Sequence, residues 1–284
     1  MSVIQGILLG ILQGLAEFLP ISSSGHLLIV RNLFGFNDTS GTYLIFDILL
    51  HVGTLFVVLV VFWKDWLSIL KNPFRSKTLL LLFVASLPAL IAVILFGDLL
   101  DLFETGAFLG VSFVITGILL LISQKSSEKF KNSSKTQVGF KNSIIMGISQ
   151  ILGLLPGISR SGSTIFGGIV SGLDKKTAAK FSFMMSAPAI FGSLIYEGKN
   201  ALENNYFAQI EIIPTLLGMI SATIFGYIAI KFMLDLIAKI SLKWFAFYAI
   251  ALGLIVIILQ ITGAFGFIPM PKLIANMHPA QLLV

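Results

Sequence analysis

The chain has no cysteine, which excludes disulfide cross-links and thiolate metal sites outright. It is also poor in charge. Asp, Glu, Lys and Arg make up only 11% of its 284 residues, against roughly a quarter in a soluble globular domain. No stretch is polar and long enough to form a soluble domain. No basic leader precedes the first apolar stretch, which runs straight into Glu17, so no cleavable signal peptide is expected. The chain also lacks a Walker A loop, a dinucleotide-binding fingerprint and a His-Glu-x-x-His motif, which removes ATPases, Rossmann enzymes and zincins. What is abundant is apolar surface: 56% hydrophobic residues and a mean hydropathy of +0.98. This is the composition of an integral membrane protein. The net charge of +6 is therefore read as cytoplasmic loop charge, with attraction to anionic lipid as a side effect and no nucleic acid implied.

Crossing roughly 30 Å of hydrocarbon takes about 20 apolar residues in a helix. Six such spans are expected, near 46–63, 79–97, 106–123, 181–197, 213–232 and 245–265, in an all-α polytopic fold. Two further apolar regions, 3–36 and 143–172, are interrupted by Pro20 and Pro156, which end helices. Each reads as two half-helices that enter the membrane and return on the same side. Loop charge supports this. Segments 64–78, 124–142, 173–180 and 233–244 are basic, whereas 98–105 is acidic (Asp98, Asp101, Glu104) and 198–212 is mixed. With basic loops inside, this pattern alternates only if the two interrupted regions do not cross. Each half then has one re-entrant pair and three spans, an odd number, so the second half is inverted. The expectation is one membrane domain over 1–284, built from halves 1–135 and 136–284, with the two hairpin tips meeting near the midplane. Phe46-Asp47-Ile-Leu-Leu-His51 and Phe181-Ser182-Phe-Met-Met-Ser186 are a weaker echo of the same repeat.

The interruptions themselves are Gln13-Gly-Leu-Ala-Glu17-Phe-Leu-Pro20-Ile-Ser22-Ser23-Ser24-Gly25-His26 and Gln150-Ile-Leu-Gly-Leu-Leu-Pro156-Gly-Ile-Ser159-Arg160-Ser161-Gly162-Ser163. Gln and Gly are equally spaced in the two. Polar and ionisable groups at membrane depth are functional suspects by default. Gln13 and Glu17 are four apart and share a helix face, and Gly6, Gly10 and Gly14 form a small-residue seam along the same helix. The serines can cap the next half-helix, and the freed N–H groups with Ser22, Ser23, Ser24 and Gly25 can cradle a phosphate or oxyanion. A serine beside His26 is the pairing of an activated nucleophile. Arg160 is costly in a hydrophobic region unless paired, and its fork matches phosphate oxygens. It is expected either to grip an anion with Ser159, Ser161, Gly162 and Thr164, or to form an ion pair with Glu17 across the repeat. Asp47 and His51, another i, i+4 pair, are placed as supporting residues. The ligand implied is an anionic group on a lipid-soluble carrier, handled by a hydrolase or transferase acting on a lipid phosphate, or else by a transporter or flippase of an anionic solute or lipid.

Glu17-Phe-Leu-Pro-Ile-Ser-Ser-Ser-Gly-His26 and Leu155-Pro-Gly-Ile-Ser-Arg-Ser-Gly-Ser-Thr164 resemble the two signature motifs of the bacterial undecaprenyl-diphosphate phosphatases, the family linked to bacitracin resistance. Phe46-Asp-Ile-Leu-Leu-His-Val-Gly-Thr54 and the lengths of the spans extend the resemblance along nearly the whole chain. It implies a multi-pass enzyme of the bacterial inner membrane. The enzyme would remove the terminal phosphate of a polyprenyl diphosphate lipid and so recycle the carrier for peptidoglycan synthesis. It further implies a divalent cation, Mg²⁺ or Ca²⁺, at Glu17, while assembly as a homodimer stays open. On this pattern Gln13 and Glu17 take the paired acidic or amide positions, Ser22 and Ser23 the hydroxyls and His26 the motif histidine. Ser159, Arg160, Ser161 and Thr164 take the phosphate-binding segment. Gln13 is a departure, since some relatives carry Glu there, and it leaves one carboxylate where a metal could have had two. The expected chemistry has Arg160 and backbone N–H groups clamping the diphosphate. Ser23 is the expected nucleophile with His26 or Glu17 as base, and a metal-activated water with His26 as base is the alternative.

Overall fold

The structure, a computed structural model, describes residues 1–35, 42–104, 106–204, 206 and 210–267. Among them the chain is all-helical with no β-strand, apart from an isolated bridge pairing Lys135 with Leu173. The helices are α1 (Val3–Phe18), α2 (Ser23–Phe34), α3 (Thr42–Val61), α4 (Trp63–Lys71), α5 (Lys77–Glu104), α6 (Leu109–Lys129), α7 (Phe140–Leu152), α8 (Arg160–Val170), α9 (Lys175–Glu203), α10 (Ile212–Lys239) and α11 (Lys243–Thr262). Among the described residues five helices are long and apolar enough to cross a membrane: α5 over Lys77–Gly97, α6, α9, α10 and α11. A sixth span is present if α3 counts together with α4, which bends away from it by 76°. The chain is a multi-pass membrane protein.

The six expected spans fall on α3, α5, α6, α9, α10 and α11; 79–97, 181–197 and 213–232 are contained in helices that outrun them, whereas 46–63, 106–123 and 245–265 each pass one helix end by two or three residues. α5 continues through 98–104, where an acidic loop was expected, after a kink at Phe96 (φ −130°, ψ 22°). Likewise α9 starts within the expected loop 173–180, and α10 runs on to Lys239. Hydropathy marks the part of a helix that hydrocarbon tolerates, whereas backbone hydrogen bonding continues into the charged ends. The side chains of Asp98, Asp101 and Glu104, residue 36 of the first interrupted region and part of 198–212 lie outside the described residues.

Within a bilayer, helices associate by close packing rather than by hydrophobic transfer. The glycine seam of α1 does this against α10: a Cβ on Gly14 would stand 2.6 Å from the Ala222 carbonyl oxygen and 2.7 Å from the Gly226 nitrogen. α7 packs on α5, with Gly147 against the Ala85 carbonyl and the Pro88 ring. α6 pairs with α11, and α3 lies against both α9 and α10. The largest buried cluster joins α3, α5, α8, α9 and α10 and includes Phe18 and Phe183, whose rings meet edge-on at 5.5 Å. Phe18 seats the end of α1, and with it the neighbouring Glu17, in that core.

Candidate functional site

The two expected breaks fall between α1 and α2 and between α7 and α8. In the first, Pro20 withholds a donor and Ser22 takes φ 69°, a left-handed conformation that costs a non-glycine residue about 1–3 kcal/mol. There its hydroxyl accepts from Gly25 N at 3.3 Å and caps α2. In the second, Gly157 takes φ 87°, and the Ser159 hydroxyl accepts from Gly162 N at 3.0 Å to cap α8. The likeness extends to a second hydroxyl: Ser22 and Ser24 lie 3.3 Å apart, Ser159 and Ser161 3.2 Å.

The breaks touch. Ser161 donates to the Leu19 carbonyl at 3.0 Å, and a Cβ on Gly162 would lie 3.5 Å from Pro20 Cβ. A Cβ on Gly25 would stand 2.9 Å from Gly157 Cα and 2.6 Å from the Phe113 ring, so only glycine allows this approach. Thr116 of α6 fixes the second break, donating to the Gly157 carbonyl (3.1 Å) and accepting from Ser159 N (3.0 Å).

Glu17 is at the centre of the contact and 6% exposed. Its Oε1 is ion-paired with Arg160 from the second break. Its Oε2 accepts from the Ser23 hydroxyl at 2.6 Å and from Gln13 Nε2 at 3.1 Å. His51 Nε2 approaches the same oxygen to 3.8 Å, while its Nδ1 meets the Asp47 carbonyl at 2.8 Å. Gln13, Glu17, Ser23, His51 and Arg160 thus form one cluster of carboxylate, guanidinium, hydroxyl, amide and imidazole. Around it, Ser22, Ser24, Gly25, Ser159, Ser161 and Gly162 belong to the two capped N-termini, where free N–H groups and helix dipoles favour an anion.

The remaining expected residues lie further out. Thr164 faces Ser182 (2.6 Å) and accepts no part in the Glu17 cluster; its hydroxyl also donates to the Arg160 carbonyl at 2.9 Å. Asp47 is ion-paired with Arg31, which also lies over the Tyr43 ring at 5.0 Å. His26 is buried but does not contact the Ser23 hydroxyl. Its Nδ1 meets the Ser22 carbonyl at 2.6 Å and its Nε2 the Tyr248 hydroxyl at 2.8 Å. Of the two bases expected for Ser23, Glu17 is the one in hydrogen-bond contact. Sequence reasoning missed Arg31, Tyr248, Thr116 and Ser182 as partners of the site. Arg31 carried the same signal as Arg160, a guanidinium on an otherwise apolar helix.

Among the described residues no group of three or more His, Asp or Glu is arranged to hold a metal. Glu17 and Gln13 nonetheless offer oxygen donors, one of them a buried acceptor that no donor meets, Gln13 Oε1, on the turn before Glu17. Mg²⁺ typically takes one or two carboxylates and draws its other ligands from water and substrate phosphates. Glu17 and Gln13 fit such a partial shell.

Residues 6–255 match the family model of the bacitracin resistance protein BacA. The chain is similar to the undecaprenyl-diphosphatase of Carboxydothermus hydrogenoformans, 40% identical over 267 residues that cover 93% of this chain and 100% of that one. Undecaprenyl-diphosphatase 4 of Bacillus thuringiensis (strain Al Hakam) is 40% identical over 266 residues, again 93% and 100% of the two chains. The undecaprenyl-diphosphatase of Halothermothrix orenii is 41% identical over 262 residues, 91% and 98%.

Proposed function

The chain belongs to the BacA bacitracin-resistance family, and from that membership we infer that it is an undecaprenyl-diphosphatase. It is an enzyme: a membrane phosphatase that hydrolyses undecaprenyl diphosphate to undecaprenyl phosphate and inorganic phosphate, returning the lipid carrier to cell-wall synthesis. The relatives named above are diphosphatases, and none is a transporter.

The observation that carries the site assignment is the Arg160–Glu17–Ser23 constellation, drawn from both breaks. Arg160 and the N–H groups opening α2 and α8 bind the terminal phosphate, and Glu17 neutralises the guanidinium until substrate arrives. The phosphate displaces Glu17 from Arg160, leaving the carboxylate free to accept the Ser23 proton. Ser23 Oγ then bonds to the terminal phosphorus, and the bridging P–O bond breaks with its electron pair, so that undecaprenyl phosphate leaves. Water next attacks the phosphoserine. Glu17, having passed the Ser23 proton to the departing undecaprenyl phosphate, accepts the water's proton, and the Ser23 Oγ–P bond breaks to release inorganic phosphate. Glu17 returns its proton as the cycle closes. His51, beside the same carboxylate oxygen, steadies Glu17 as its charge changes. The charge on the transferring phosphoryl oxygens is what Arg160 and the N–H groups stabilise. Mg²⁺ or Ca²⁺, when bound, would be held by Glu17 and Gln13 Oε1 and would supply further neutralisation of the diphosphate.

The finer architecture follows the same proposal. Residues 1–135 and 136–284 are inverted repeats, and α1–α2 and α7–α8 are re-entrant pairs entering from opposite faces of the inner membrane. Three features support this. α1 packs on α10 as α7 packs on α5, which exchanges corresponding helices of the two halves. The helices that would lie on the pseudo-axis, α3 with α9 and α6 with α11, pair with each other. Both breaks end in the same serine cap.

Purified protein given undecaprenyl or farnesyl diphosphate should release inorganic phosphate, and Arg160→Ala should reduce release by about a thousandfold or more, the scale of an arginine that stabilises phosphoryl transfer. Release within tenfold of the parent by Arg160→Ala would overturn the site assignment.

A further inference from the structure

The aromatic enclosure of His26 points beyond the two motifs. The Ser22 carbonyl can only accept, so the 2.6 Å contact places a proton on Nδ1. In the neutral ring Nε2 is then a lone-pair acceptor, and the Tyr248 hydroxyl donates to it at 2.8 Å. The two rings lie parallel, 6° apart in plane with centroids at 5.8 Å, and Phe113 packs edge-on against the other side at 5.2 Å. The imidazole is thus held by two hydrogen bonds and two aromatic contacts. Tyr248 comes from α11, which belongs to neither break, and the residue is 47% exposed. A tyrosine with its ring at an apolar surface and its hydroxyl turned inward needs a buried partner, and here the partner is the histidine next to the catalytic loop.

We propose that Tyr248 is a positioning residue for the phosphatase reaction: its hydroxyl donates to Nε2 and anchors the His26 ring, so that the Nδ1–H bond holds the left-handed Ser22 backbone that presents Ser23 to Glu17. The Ser22 carbonyl sets the tautomer, and Tyr248 holds the ring in place from its far nitrogen, acting on the nucleophile loop without touching substrate. The proposal rests on the reading of Ser23 as the nucleophile.

Tyr248→Phe keeps the ring, the stacking and the packing of α11 while removing only the donor. The chain has three histidines, His26, His51 and His278, so ring ¹⁵N spectra of protein labelled at histidine in detergent are simple, and His26→Gln assigns the His26 signals. The parent should show one protonated nitrogen and one hydrogen-bonded acceptor at His26. In Tyr248→Phe the acceptor resonance should move to the free-imine position. Phosphate release should then fall about tenfold in kcat, the scale on which orienting partners of a functional histidine act, with KM changed less than about twofold. A His26 spectrum or a kcat that is the same in Tyr248→Phe as in the parent overturns the proposal. Full turnover by His26→Gln would likewise overturn it, whereas full turnover by Ser23→Ala would instead overturn the reading of Ser23 on which it rests, whatever Tyr248→Phe does.

Discussion

Replacing Glu17 with Gln tests the idea that an internal carboxylate occupies the phosphate's place. The substitution preserves shape and leaves Ser23 an acceptor, but strands the Arg160 guanidinium. The Glu17 side chain is 5% exposed and that of Arg160 16%, so this is a buried pair, and removing one member of such a pair costs about 3–5 kcal/mol. The residual exposure of Arg160 puts the figure near the lower end, about 3 kcal/mol. In the parent, a diphosphate must break the Glu17–Arg160 pair before it can use the guanidinium. In Glu17→Gln it meets no competitor. With about 1.4 kcal/mol for each tenfold in affinity, a non-hydrolysable farnesyl diphosphonate should bind up to about a hundredfold tighter to the variant. Binding is measured in EDTA, so that loss of a cation ligand does not enter, alongside thermal unfolding without ligand and phosphate release with metal present. The variant should unfold earlier, bind the analogue tighter and release almost no phosphate. Unchanged stability together with equal or weaker analogue binding would refute the reasoning.

Ser23→Ala should lower phosphate release by at least about a thousandfold, as loss of a nucleophile does, and the parent stopped in mid-turnover should carry acid-stable phosphate on Ser23; full turnover by the variant would exclude the covalent route. Because the chain has no cysteine, Pro20→Cys with Gly162→Cys gives a clean cross-linking pair: the Cβ positions are 3.5 Å apart, within disulfide reach, and mild oxidation should close the bond as a shift in gel mobility. No cross-link would mean that the two breaks do not meet. Gly25→Ala should lower the unfolding temperature, because a methyl group 2.6 Å from Phe113 overpacks the contact at a cost of about 1–3 kcal/mol; unchanged unfolding would contradict that packing.

Much of the site was legible because membranes make polar residues conspicuous. Pro20 and Pro156 located the breaks, the serines after them announced caps, and the cost of a lone guanidinium required Arg160 to find an anion. The ion pair with Glu17 is present, and under the proposed mechanism the anion-binding reading of Arg160 describes the same place once substrate has arrived. What the sequence hid was long-range. Tyr248 lies 222 residues from His26, and no local period connects them. The Arg31–Asp47 pair links two helices whose register depends on packing. His26 beside three serines suggested a Ser–His pair, yet its position on α2 turns the ring toward α6 and α11 instead. Helix ends were lost for a different reason: the apolar spans at 181–197 and 213–232 are shorter than the backbone ladders, which begin at Lys175 in α9 and run on to Lys239 in α10.

The central claim is that the two breaks are halves of one phosphatase site, and a double-mutant cycle on phosphate release tests it most directly. Residues that act as a unit are strongly non-additive. Glu17→Gln and Arg160→Ala should each lower release from undecaprenyl diphosphate by about a thousandfold or more, and the double variant should be little worse than the poorer single one. Losses that multiply, or near-parent turnover in either single variant, would show that Glu17 and Arg160 do not share one site.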